Sequence, residues 1–180
     1  MGLGLEGSLY RLLLLLHILT ATVGFGAVVF NGLYRARARQ RGGEDEIALL
    51  EENGFITHIA EYLIYGVFIF GIGVALTSTP SGGVATWDFS QSWLTLSMLL
   101  YLIEIGLLHG VIHRAEREYE ALLVKVNAGV DGGAGEGQPV EVGRLEQWER
   151  RIRFGWGAFD VLFLVILYLM VFTPGHVRVG

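Results

Sequence analysis

The chemistry open to this chain rests on a few polar side chains set in apolar sequence. His17 stands inside the predominantly apolar run 9–34. An ionisable residue at membrane depth is costly and is kept where it faces a partner, a cavity or a cofactor. At about 100° per residue, His17, Thr20, Ala21, Gly24, Val28 and Asn31 fall on one stripe of a helix. That stripe is small and polar, while the other faces are Leu, Val and Phe, so His17 is expected to look inward. Two chemistries suit it. One is a hydrogen bond to a neighbouring helix, as structural glue. The other is axial ligation of a haem iron, for which imidazole is a common donor. The small residues one and two turns along would leave room for a flat macrocycle.

A second group lies toward the arginine-rich ends of the apolar runs. Counting inward from those ends puts Glu61, Glu104 and Asp160 at similar depth on three runs, with His58 and His109 nearer the surface and His113 at the boundary. His58 and Glu61, three apart, share a helix face, as do His109 and His113, four apart. Glu104 is five residues from His109, a rotation of about 140°, so the two cannot both face a bundle axis. A helix bundle can hold two metals with a Glu from each of two helices and Glu-x-x-His from the others. Here His58–Glu61 is His-x-x-Glu, the reverse order, and there is no Glu-x-x-His. The metal candidates are therefore His58, Glu61, Glu104, His109 and Asp160. The same residues also suit a hydrogen-bonded network with the carboxyls protonated or paired with Arg151, Arg153 or Asn31. A proton path, or a site for a quinone head, uses these residue types too.

The elements that must position these residues are membrane helices. The chain of 180 residues is 52% hydrophobic and 17% charged, with a mean hydropathy of +0.50. Soluble domains carry about 25% charged residues. The charge collects between apolar runs, each near the roughly 20 residues that span a bilayer core of about 30 Å as a helix. The predicted spans are about 9–34, 54–77, 92–112 and 154–172. A polar loop is expected at 35–52, a Gly-rich flexible linker at about 127–143, and a short helix along the membrane surface at 144–153. Positive clusters follow span one at Arg35, Arg37, Arg39 and Arg41, follow span three, and precede span four. The positive-inside rule then puts both termini outside. Trp87 and Trp93 are the amphipathic anchors expected at the outer interface. The single domain 1–180 reads as an all-α, antiparallel bundle of four transmembrane helices, because only helices satisfy their own backbones in lipid without a closed barrel.

Cysteine is absent, which excludes disulfides, thiolate metal sites, iron–sulfur ligation and a cysteine nucleophile. Ser97 has no matched histidine on its face, so classical hydrolysis has no support. No phosphate-binding loop is present. No basic patch is interleaved with aromatics, so nucleic acid is not an expected partner. A cleaved signal peptide fits poorly, since only Arg11 precedes the apolar run and arginines follow it.

The opening segment 16–39, LHILTATVGFGAVVFNGLYRARAR, and the ending LYLMVFTPG at 167–175 resemble a family of predicted four-helix integral membrane proteins known as domain of unknown function 2269. The resemblance implies the four-span fold and no activity. More distantly, the chain is similar to the CopD-like copper-resistance proteins and the HemJ-type protoporphyrinogen oxidases. His17, Phe25–Gly26 and Arg35 match the latter's first span, and Trp93 and His109–Gly110 its third. That resemblance implies haem b held by His17. The family's second ligand is a Lys in span three, where this chain has Ser97 or Met98, and Met can ligate haem iron.

The expected function is thus a haem- or metal-binding redox component of the cell membrane, with His17 and Met98 as the haem candidates. The alternatives are a non-catalytic subunit packed against partner subunits or a second copy, and a transporter of a small ion or metal. The lipid bilayer is the one partner the composition requires.

Overall fold

The computed structural model describes residues 7–79, 86–131 and 138–173, with only the backbone at 129–131 and 138–140. Its described helices are α1 (Ser8–Arg41), α2 (Gly43–Thr77), α3 (Ser92–Leu107), α4 (His113–Asp131) and α5 (Gln138–Phe172). A π-helical turn, Leu108–Ile112, joins α3 to α4. The protein is all-α among the described residues. Four helical stretches are long and apolar enough to cross a membrane, the third being Ser92–Ala128.

The helices overrun the predicted spans at the charged end. The expected loop at 35–52 is helical apart from Gly42. Gly42 has φ 66° and ψ 174°, a region only glycine enters readily. Its N–H closes α1 on the Ala38 carbonyl at 3.2 Å. Arg39 and Arg41 in the last turn of α1, and Glu44, Asp45 and Glu46 in the first turn of α2, suit the dipoles of the two helix ends. The expected surface helix at 144–153 is the first part of α5, continuous with the fourth span. Of the expected linker 127–143, α4 runs to Asp131 and α5 starts at Gln138; residues 132–137 lie outside the described residues. Pro139 falls in the first turn of α5, where its missing N–H leaves no bond unmade.

Neighbouring helices meet in opposite order. On α1 and α2, His17 meets Val67, Gly24 meets Leu63, and Asn31 bonds Asn53. Across α2 and α3–α4, Tyr101 bonds Ile64 and Tyr119 bonds Glu46. Phe25 of α1 stacks on Phe163 of α5 at 3.6 Å, and Arg39 pairs with Glu149. The order around the bundle is therefore α1, α2, α3–α4, α5, which leaves α1 and α3 on a diagonal.

Among the described residues two apolar layers and a smaller cluster of Ala75, Trp93 and Leu94 fill the interior. Phe25, Val28, Ile64, Tyr101, Leu108, Ile112 and Phe159 pack at membrane depth. Ala38, Leu50, Ala115, Tyr119, Leu123 and Ile152 extend the bundle into the charged end. The outer faces are apolar as well: Leu15 is 62% exposed and Phe30 70%. In water such surface would be a liability, while against lipid it needs no partner. At the other end Trp87 donates its ring N–H to the Tyr10 hydroxyl at 3.1 Å and meets Trp93 edge-on.

Candidate functional site

On α2, His58, Glu61 and Tyr65 follow one another at helical spacing and share a face. Tyr65 donates its hydroxyl to Glu61 Oε1 at 2.7 Å. His58 Nδ1 lies 3.6 Å from Glu61 Oε2. Facing them is the π-helical turn, whose widened backbone bond runs from the His113 N–H to the Leu108 carbonyl. Such turns are found mostly as single insertions and often at functional positions. The turn presents His109 and His113 together, their rings stacked with centroids 5.2 Å apart. His109 Nε2 is 3.4 Å from Glu61 Oε1 and bonds the Tyr65 oxygen. The Tyr65 hydroxyl carries one proton, already given to the Glu61 carboxylate, so in this bond the His109 N–H is the donor.

One ligand atom each from Glu61, His109 and His113 fall within 4.8 Å of one another. His113 Nε2 is buried and has no hydrogen-bond partner. The group lines a cavity of 380 Å³ at the charged end, together with Arg35, Asn53, Glu116, Arg117 and Glu120. Arg35 is buried beside this cavity. Its Nη1 pairs with Glu116 at 3.3 Å and Glu120 at 3.5 Å, while its Nε and Nη2 have no partner.

The other candidates lie elsewhere. His17 turns toward α2, with Nδ1 2.8 Å from the Val67 carbonyl. A carbonyl only accepts, so Nδ1 carries the proton and Nε2 presents its lone pair. The ring packs on Gly71, where an added Cβ would stand 3.0 Å from His17 Cε1. Met98, half-buried on α3, is on the helix diagonal to His17. Glu104 is completely buried and neither carboxyl oxygen has a hydrogen-bond partner. Asp160 is exposed on α5. The structure thus gathers Glu61, His58 and His109 and leaves Glu104 and Asp160 out of the group.

Two members were not among the sequence candidates. His113 stands at the boundary of the third span, although its spacing from His109 signals a shared face. Tyr65 carried the signal of sitting four residues after Glu61, a spacing at which side chains on a helix meet.

No curated protein and no solved structure matches this chain. Over residues 11–174 the sequence matches the family described as predicted integral membrane protein, domain of unknown function 2269, and the chain belongs to that family.

Proposed function

We propose that this integral membrane protein binds a first-row transition metal at Glu61, His109 and His113, as a metal-binding redox component of the cell membrane. The observation that carries the reading is the convergence of three donor atoms from two helices within 4.8 Å. A carboxylate and two imidazoles suit first-row metals. The 3.4 Å between Glu61 Oε1 and His109 Nε2 is close to the ligand-to-ligand edge of about 3.3 Å implied by metal–ligand bonds near 2.0 Å in tetrahedral geometry. Charge supports a cation. Among the lining residues, Glu51, Glu61, Glu116 and Glu120 exceed Arg35 and Arg117 by two. Three protein donors leave a coordination position open toward the cavity, as in reactive rather than purely structural sites.

The test is titration of the purified, detergent-solubilised chain with Co²⁺ and Zn²⁺. One ion per chain is expected, with a cobalt visible spectrum showing mixed nitrogen and oxygen ligation. His109→Ala and His113→Ala should each weaken binding at least tenfold. Equal affinity in wild type and both variants would reject the site.

A second reading, haem b on His17, is favoured by one observation. The Nδ1–H bond to the Val67 carbonyl is the arrangement that orients a metal-bound imidazole. Met98 is the other candidate ligand for that haem. A Soret band in protein purified from haem-supplied cells, lost in His17→Ala, would support it. A colourless wild type would reject it.

A further inference from the structure

We infer that the Glu61–His109–His113 site takes iron and that the Tyr65 phenolate oxygen is its fourth ligand. The inference rests on the metal reading of the same site and names the metal and the missing donor. Two histidines and one carboxylate with open positions are a donor set associated with non-haem iron. Cysteine is absent from the chain, so no soft thiolate competes to draw another metal.

Tyr65 is placed for this role by contacts with two of the three donors. Its oxygen lies 2.7 Å from Glu61 Oε1 and bonds His109 Nε2. Its ring lies nearly parallel to the His109 ring, 20° apart with centroids 6.0 Å apart. Ligands around one metal are separated by about 3.3 Å, so an outward shift of a few tenths of an ångström from these hydrogen bonds brings the Tyr65 oxygen to a corner of the same polyhedron. Tyrosine is an established donor to iron in haem proteins. His58 is a weaker candidate, with its side chain 73% exposed and 3.6 Å from the Glu61 oxygen that Tyr65 does not contact.

The chemistry of loading is a ligand exchange. Ferric iron forms a bond to the Tyr65 oxygen as the O–H bond breaks, and the proton leaves to water. His109 moves its remaining proton to Nδ1 and binds through Nε2. No electron is transferred when the iron is supplied in the ferric state.

The experiment loads the purified full-length protein with ferric iron from a weak chelate, removes the excess, and measures iron content and visible absorption. The expected result is one iron per chain and a phenolate-to-iron charge-transfer band, with tyrosine ring modes enhanced in resonance Raman excited in that band. Tyr65→Phe is expected to lose the band while still holding iron, and Tyr62→Phe, a change at an exposed tyrosine, to keep both. Iron bound by wild type without the band, or a band surviving in Tyr65→Phe, would overturn Tyr65 as ligand. Zinc binding at the three donors with no iron binding would overturn the choice of metal and leave the metal site standing. Failure to bind any of cobalt, zinc or iron would overturn the site itself.

Discussion

Arg35 of α1 and Glu116 of α4 form an ion pair of 3.3 Å with both side chains more than nine-tenths buried. Trp156 of α5 donates its ring N–H to the same Glu116 oxygen at 3.1 Å. Three helices are therefore tied at one carboxylate. Removing one member of a buried pair strands the other charge, at a cost of about 3–5 kcal/mol. Arg35→Ala should lower unfolding free energy in detergent by that order. Arg35→Ala combined with Glu116→Gln should recover a good part of it. Equal stability of the single and double variants would show that the pair is not coupled.

Glu104 is the opposite case, a fully buried carboxyl with no hydrogen-bond partner for either oxygen. Among the described residues no cation pairs with it. A neutral side chain of similar shape avoids the cost of burying a charge. Glu104→Gln and Glu104→Met are expected to match or exceed the wild-type melting temperature. Loss of folding in both would mean that the carboxyl has a partner the fold depends on.

Gly42 forms the whole connection between α1 and α2, at φ 66° and ψ 174°. A side chain there is strained by about 1–3 kcal/mol. Gly42→Ala should reduce stability by this amount in a denaturant titration, and Gly54→Ala, with nothing within 4 Å of the added Cβ, should not.

Metal binding to the native state alone stabilises it by mass action, about 2.7 kcal/mol at a hundredfold excess over the dissociation constant. Zinc at that level should raise the melting temperature of the wild type, and a chelator should reverse the rise. In the double variant His109→Ala and His113→Ala the shift should vanish. His58→Ala should keep most of it, because that ring is largely exposed and makes a single 3.6 Å contact with Glu61.

Orientation can be read with single cysteines, since the chain has none of its own. Glu44→Cys lies at the charged end and Ser90→Cys at the tryptophan end, both exposed. By the positive-inside rule Glu44 is expected on the cytoplasmic side. An impermeant thiol reagent should label Ser90→Cys on intact cells and Glu44→Cys only after permeabilisation. The reverse pattern would invert the topology.

The sequence by itself determined the environment, the number of long apolar helices and their charged ends. These depend on run length, apolar content and the placement of arginine, which are properties of the chain read locally. It also placed Glu61 with His58, and His109 with His113, because neighbours on one helix follow from its period. What it could not decide was which faces meet. Asp160 and Glu104 looked alike in sequence, yet packing buries the one on α3 and leaves the one on α5 at the surface. The rotation of each helix is set by side chains of its neighbours, which no single segment contains. The predicted loop at 35–52 proved helical because α1, α2, α4 and α5 share a second core around Tyr119 and Ile152. Polar sequence there covers a buried stripe visible only once the partner helices are present. His17 found its acceptor in Val67, fifty residues away. Tyr65 joined Glu61 to His109 because α2 faces the π-helical turn. Contacts between distant segments arise from docking of the helices, and local periodicity carries no term for them.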